Sequence, residues 1–266
     1  MHLHVASGYS LQYGASHPQA LVERAVEQEM DTLALTDRDG AYGAVRFAKA
    51  CLQGGVRPVL GVDLAISPVR DWSARGRAAR PAGPDRLTQP ARPGQPGQRR
   101  QPVRGGAFRD DRELPRVTFL AGSRRGWSAL CRLVSATHLA GERGRPVTTL
   151  DLVAEHVSGR VGTGDVLVLL GPASELGRAA TLRRDDLARA ALLPWLEVVD
   201  RADLLVELVS HRLPGSGPGS APHAARMAGL AHAAGLGSVL TNAVRYADRA
   251  DAPTVDVAQV LSLIHI

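Results

Sequence analysis

Lysine is all but missing from this chain. Lys49 is the only one, and the rest of the 32 basic residues are arginine. A GC-rich genome produces that bias, so the formal charge of +6 matters less than where the arginines fall. Aromatic residues are scarce at 4%, which leaves Ala, Val, Leu and Gly to carry the packing. The two cysteines, Cys51 and Cys131, lie far apart in helical patterns without metal-type spacing. That excludes a disulfide framework and reads as two buried thiols in a reducing compartment. No N-terminal stretch has the charged and apolar regions of a signal peptide, and no apolar run approaches membrane-spanning length. A soluble, cytoplasmic protein without membrane contacts is expected. Walker and dinucleotide-binding glycine loops are also missing. The "GTGD" at Gly162 lacks the strand–loop–helix context of a phosphate cradle.

What the chain does have is alternation, over a length of 266 residues that can bury a sizeable core. A short segment carries His2 and His4. Ser16 then caps a helix with Val22, Ala25, Val26 and Met30 on one face. "TLALTD" is a strand, and a second helix sets Ala44, Phe47, Ala48 and Cys51 on one face before Gly54 and Gly55 end it. "RPVLGVDLAI" is the next strand, giving the β-α-β-α-β order of a parallel sheet. "RVTFLAG", "DVLVLLG", "DLLVELV" and "SVLTN" continue the strands. Between them lie helices around "WSALCRLVSATHLA", Asp185–Val198 and Ala221–Ala234. So many alternations suit a closed β/α barrel, in which function sits at the C-terminal ends of the strands. Those ends carry His2, His4, Asp37, Asp63, Gly171, His211 and Asn242. Glu207 on an inner strand is a buried acid that needs a partner, for which Arg245 is a candidate. His211, His223 and His232 read as surface or helix-packing histidines.

The alternation divides the chain into a first barrel part at 1–70, an insertion at 71–115 and a second barrel part at 116–260. The insertion, "ARGRAARPAGPDRLTQPARPGQPGQRRQPVRGG" at its centre, is rich in Pro, Gly, Arg and Gln and is expected to be disordered. The last six residues, 261–266, read "LSLIHI", which a transposon-end sequencing adapter encodes in one frame. They are expected to be translated adapter, making the chain an N-terminal fragment of something longer. A misassigned start codon is expected as well, because Met1 directly precedes His2.

"HLHVASGYSLQYGAS", "LALTDRDGAYGAVRFAKAC", "RPVLGVDL" and "VTFLAGSRRGWSALCRLVS", in that order and spacing, resemble the PHP (polymerase and histidinol phosphatase) domain. This domain opens the bacterial DNA polymerase III alpha subunit, and the likeness is to its error-prone, DnaE-type branch. The resemblance covers nearly all of the chain outside the insertion. It implies an α/β fold, a distorted (β/α)7 PHP barrel interrupted by the disordered Pro/Arg-rich insertion. In metal-competent relatives, side chains at the strand ends bind two or three ions, typically zinc or manganese, for phosphoester hydrolysis or proofreading. Polymerisation belongs to palm, fingers and thumb domains, which this chain lacks and which hold magnesium in the full-length protein.

Carried over residue by residue, the resemblance implies a dismantled metal centre. His2 and His4 match the family's first ligand pair, and Asp63 in "GVDL" stands where the family has a glutamate. The acid of "SLLDGA" falls on Tyr13, the histidine of "TDHG" on Arg38, and the histidine that opens "HLTLLA" on Arg116. The cysteine of "LSGC" falls on Pro172, and the last pair, from "NDVHY", on Ala243 and Arg245. Arginine stays protonated and repels a cation, whereas zinc and manganese need imidazole, thiolate or carboxylate donors. Arg38, with Asp37 and Asp39 beside it and with Glu207 and Arg245, is a candidate ion-pair network standing in for metal. No catalytic residue and no cofactor are then expected in this chain. The rest of the polymerase chain would be its partner, and DNA would be met through the full-length protein.

Two other functions compete. A free-standing metal-dependent PHP phosphoesterase would need an intact cluster, which Tyr13, Arg38 and Arg116 oppose. A binding module would engage DNA or an acidic partner through Arg75–Arg112, with affinity falling steeply as salt rises.

Overall fold

The computed structural model describes residues 1–69, 114–141, 144–158 and 161–262. The expected insertion, apart from Leu114 and Pro115, and the last four residues of the chain lie outside the described residues. Six strands form one sheet in chain order: β1 (Thr32–Arg38), β2 (Arg57–Ala65), β3 (Arg116–Ala121), β4 (Val166–Leu170), β5 (Leu204–Val209) and β6 (Gly237–Thr241). They are short apolar runs; in β1 only Arg38 escapes full burial, as for a strand covered on both faces.

The pairings β1–β2, β4–β5 and β5–β6 are parallel, but β3 runs antiparallel to both β2 and β4. The alternation had implied parallel pairing throughout. Adjacent parallel strands require a crossover connection, usually a helix, and no described residue between β2 and β3 forms one. The reversal decides the site. Arg116, the first residue of β3, lies opposite Ala65 at the end of β2. A side chain at a strand start thereby joins side chains at strand ends.

The N-terminal segment links the two sheet edges. Ala34 and Thr36 of β1 donate backbone hydrogen bonds to the carbonyls of His2 and Val5. On the other side, Ala6 donates to Val244, just past β6, and Val244 donates to His4. Six strands and this segment make a distorted seven-membered ring. Ala34, Leu120 and Leu169 form a core shared with Leu3 from the linking segment and Val239 from β6.

The helices cover the outside. Leu21, Val22 and Ala25 of α1 (Pro18–Glu27) and Phe47 and Cys51 of α2 (Ala44–Gly54) pack with Val5, Leu33 and Leu35 of the ring. α2 buries Ala44, Phe47 and Cys51 at helical spacing and stops at Gly55, whose φ of 70° suits a residue without Cβ. In α3 (Arg124–Ala140), the Ser123 hydroxyl accepts from the Gly126 amide as an N-cap, and Leu130, Leu133 and Thr137 face the core. Cys131 on that helix is exposed, contrary to the buried thiol expected. The α1 cap also differs from expectation. His17 holds the N-cap position with Pro18 next, while Ser16 accepts from the Ala247 amide and donates to Asp251. Val26 is 44% exposed, so α1 buries a narrower face than its pattern implied.

Four further helices complete the layer described between β3 and the end: α4 (Leu150–His156), α5 (Glu175–Leu182), α6 (Asp185–Val198) and α7 (Ala221–Ala233). After β6 comes α8 (Ala252–Ser262), whose last turn includes Leu261 and Ser262 of the expected adapter segment.

Candidate functional site at the barrel mouth

Parallel pairing of β1 with β2 sets Arg38 opposite Asp63, and the reversed β3 brings Arg116 to the same end. Arg116 Nε donates to Asp63 Oδ2 at 3.0 Å, and its Nη2 reaches the Asp63 carbonyl at 2.7 Å and Asp39 Oδ1 at 2.9 Å. Arg38 Nε lies 3.4 Å from the same Asp63 oxygen. One carboxylate oxygen thus faces two guanidinium groups. Burial by itself would raise the Asp63 carboxyl, but Arg116 and then Arg38 outweigh it and hold the group below the usual carboxylate range. Burial likewise opposes the Arg116 charge, and Asp63 and Asp39 more than offset it, so the guanidinium is held more firmly protonated. Asp39 sits at a φ of 55°. There its carboxylate also accepts from the Ala65 amide, and its carbonyl meets His138 Nε2 at 2.6 Å.

Tyr13 lies beside this network, 7% exposed. The Arg38 guanidinium carbon is 3.3 Å from its ring centre and that of Arg245 is 4.2 Å away. Burial resists ionisation of the phenol, yet the two guanidiniums outweigh it and lower its pKa. Among the described residues Arg245 has no carboxylate partner, and its guanidinium lies over the Tyr13 ring face.

His4 forms a third group. Its Nδ1 is 2.8 Å from Glu207 Oε1, and the Thr241 hydroxyl donates to the same oxygen. The buried acid on β5 therefore has His4, not Arg245, as its ion-pair partner. Burial opposes the His4 charge, but Glu207 outweighs it and pushes the pKa up to about 9. A Cβ at Gly171 would overlap Glu207 Oε2, so any larger residue there would have to displace this acid from its place against His4 and Thr241. His4 Nε2 is buried and has no hydrogen-bond partner among the described residues.

The two histidines of the His-x-His segment do not meet. The chain bends at Leu3, and His2 lines a cavity of about 300 Å³ with Leu21, Arg24 and Tyr246, next to α1. Burial and the neighbouring N-terminal amine lower its pKa. Asp37 also stands apart from the ion pairs. Its carboxylate accepts from the Ser7 amide at 2.7 Å, from the Ser7 hydroxyl and from the Ser10 hydroxyl at 2.7 Å. Burial raises this carboxyl, and those hydrogen bonds only partly offset it. Ser10 in turn accepts from the Arg38 amide. Both serines were missed in the sequence, although "ASGYS" places them three residues apart, the spacing of one turn. Pro172 and Ala243 lie in the loops after β4 and β6, and Ala243 has a φ of 44°. His211, after β5, contacts the Asn242 carbonyl at 2.7 Å. Among the described residues, no group of three or more His, Cys, Asp or Glu side chains is placed to hold a metal ion.

A strand ring with its polar side chains gathered at one mouth and helices outside is a distorted β/α barrel. An amidohydrolase from Chromobacterium violaceum superposes with a TM-score of 0.51 at 14% identity, covering 97% of this chain and 96% of its own. That likeness concerns the fold. The model of the PHP domain matches residues 2–211, and the chain belongs to this family. It is homologous to error-prone DNA polymerases. The one from Mycolicibacterium paratuberculosis is 32% identical over 249 residues, 92% of this chain and 19% of that protein. The one from Nocardia farcinica is 32% identical over 231 residues, 80% of this chain and 19% of its own length. A DNA polymerase III subunit alpha from Saccharopolyspora erythraea is 26% identical over 217 residues, 80% of this chain and 16% of that one. The chain thus spans about a fifth of the length of the curated relatives it matches.

Proposed function

We propose that this chain is the N-terminal PHP domain of an error-prone DNA polymerase, a nucleotidyltransferase of the DNA polymerase III alpha type that acts in DNA replication and repair in the cytoplasm. Within it, ion pairs hold the barrel mouth where metal-competent relatives hold zinc or manganese. The observation that carries this is the Asp63 carboxylate, which is occupied by Arg116 and faced by Arg38. A divalent ion there would have to displace one guanidinium and sit beside the other, and neither can act as a ligand. His2 is turned toward α1, so the residues present do not fit a metal cluster. The barrel is a scaffold against which palm, fingers and thumb of the longer chain pack. Nucleotidyl transfer with magnesium, and contact with DNA, belong to those parts. Sequencing the genomic locus downstream of the Val260 codon tests the reading. A frame that runs on for many hundreds of codons and encodes palm aspartates supports it; a stop directly after Ile266 contradicts it.

One observation favours a second reading, a free-standing metal-dependent phosphoesterase. A histidine whose Nδ1 is held by a carboxylate while Nε2 stays open is oriented as metal-ligating histidines are. His2, His4 and Asp63 would then be ligands. Stoichiometric zinc or manganese in the purified protein, with phosphoesterase activity, would establish it.

A further inference from the structure

The outer helical layer opens between α6 and α7, which are tied to each other at both ends. Near their starts, Arg226 Nη1 lies 3.1 Å from Asp185 Oδ1; past their ends, Arg201 Nη1 donates to the Ala234 carbonyl at 2.7 Å. Start meets start and end meets end, so the helices run side by side in one direction. Between the ties they leave a trough with a cavity of about 800 Å³. Its α6 wall presents Arg189, Leu192, Leu193 and Leu196, spaced i, i+3, i+4 and i+7 along one helix face. The α7 wall repeats that spacing with Arg226, Gly229, Leu230 and Ala233. Leu192 is buried, Leu196 and Leu230 are half-buried, and Leu193 is 60% exposed. A Cβ at Gly229 would meet nothing within 4 Å, so the α7 wall stands open. The rim is cationic. Arg183, at the end of α5, and Arg189 line the trough, and among the described residues neither has a carboxylate partner. The acids beside them are taken, Asp185 by Arg226 and Asp186 by Arg184.

We propose that the α6–α7 trough docks an acidic amphipathic helix of a partner protein, its apolar side chains set between Leu193 and Leu230 and its carboxylates on Arg183 and Arg189. Length and spacing favour a helix. The 13 residues of α7 make a wall about 20 Å long, which three to four helical turns match. Apolar anchors at i, i+3 or i+4, and i+7 meet stripes of the same period. The absent side chain of Gly229 and the small one of Ala233 leave room for the incoming backbone. Charge favours an acidic helix. Four arginines and one aspartate line the trough. A carboxylate gains charge-assisted hydrogen bonds from a guanidinium fork, whereas a basic helix is repelled. A nucleic-acid strand fits less well, because its phosphates would lie over leucines. The trough shares no residue with the network at the barrel mouth, so the inference goes beyond the scaffold reading and stands with or without metal there.

The probe is a fluorescein-labelled peptide of about 14 residues, the length of the wall as a helix, with leucines at i, i+3, i+4 and i+7 and glutamates flanking them. It is titrated with the 266-residue protein and followed by anisotropy. Saturable one-to-one binding is expected, and none for a scrambled peptide of the same composition. Leu193→Asp should weaken binding at least tenfold, while Leu52→Asp, at an exposed leucine of α2, should leave it unchanged. Arg183→Glu combined with Arg189→Glu should weaken the acidic peptide at least tenfold. The same double variant should gain affinity for a peptide carrying lysines in place of the glutamates, an exchange that a misfolded protein would not show. Wild-type affinity in Leu193→Asp, equal binding of the scrambled peptide, or no saturable binding overturns the proposal. A single-stranded oligonucleotide that displaces the peptide, and whose own binding responds to salt and Arg189→Glu but not to Leu193→Asp, assigns nucleic acid and overturns it too. Peptide binding that disappears in the longer polymerase chain assigns the trough to that chain's own domains, and the proposal fails.

Discussion

Replacing Arg116 by methionine removes the group that makes burial of Asp63 tolerable. The side chains of Arg116 and Asp63 are only 10% and 4% exposed, so water cannot take over the lost contacts. Methionine approximates the length of the arginine stem and leaves no large cavity, which isolates the charge effect. Asp63 would keep Arg38 at 3.4 Å, a longer contact without hydrogen-bond geometry, and Asp39 would lose its partner at 2.9 Å. Breaking a buried pair by removing one partner costs about 3–5 kcal/mol, a large part of the roughly 5–15 kcal/mol that holds a domain folded. Urea unfolding followed by circular dichroism measures it. Adding Asp63→Asn to Arg116→Met should return part of the loss, because the uncompensated charge is then gone. A loss below about 1 kcal/mol, the range of exposed pairs, would refute the argument that this network carries buried charge. So would a double variant no more stable than the single one.

Four further outcomes follow from the same geometry. The pKa of His4, raised from 6.5 to about 9 in the folded state, adds stability that is fully present below pH 6.5 and is lost as pH rises through 9. The melting temperature should fall across that window, and His4→Gln should flatten the fall. Asp63 works in the opposite sense. Its lowered folded pKa adds stability above the ordinary carboxylate range, which is lost as pH falls through its folded value, and Asp63→Asn should remove that acid limb. Gly171→Ala should destabilise by about 1–3 kcal/mol in urea unfolding, the usual cost of overpacking, since its methyl would overlap Glu207; an unchanged midpoint would mean Glu207 moves aside freely. Ser10→Ala removes one donor to Asp37 and the acceptor of the Arg38 amide. A cost of about 1–3 kcal/mol is expected for the buried group left unsatisfied.

Much of the architecture was legible because each element announces itself locally. "TLALTDR" is a strand buried up to Arg38 and "RPVLGVDLA" one buried from Gly61 on, and Phe47 and Cys51 fall on the buried face of α2. The direction of β3 was not legible, because an apolar strand reads alike in either sense and only its pairing reveals the reversal. α4 and α5 are seven and eight residues long, too short for a periodic signal, and α5 carries a glycine. At the site, the sequence placed Asp63, Arg38 and Arg116 at one end through a family pattern, yet the partners depend on distance. The guanidiniums chose Asp63 and Asp39, leaving Asp37 to two serines. His2 and His4 looked like a pair because alternate residues of a straight strand share a face. The bend at Leu3 breaks that rule and sends them apart.

Offering the purified protein zinc and manganese, then measuring bound metal alongside the melting temperature, tests most directly whether ion pairs hold this barrel mouth. A site that binds metal in the folded state raises stability by mass action. With Asp63 engaged by two arginines, the expected result is less than a tenth of an equivalent bound and no shift in melting on adding metal or chelator. One or more equivalents retained through dialysis, with a melting temperature that drops on chelation, would contradict it.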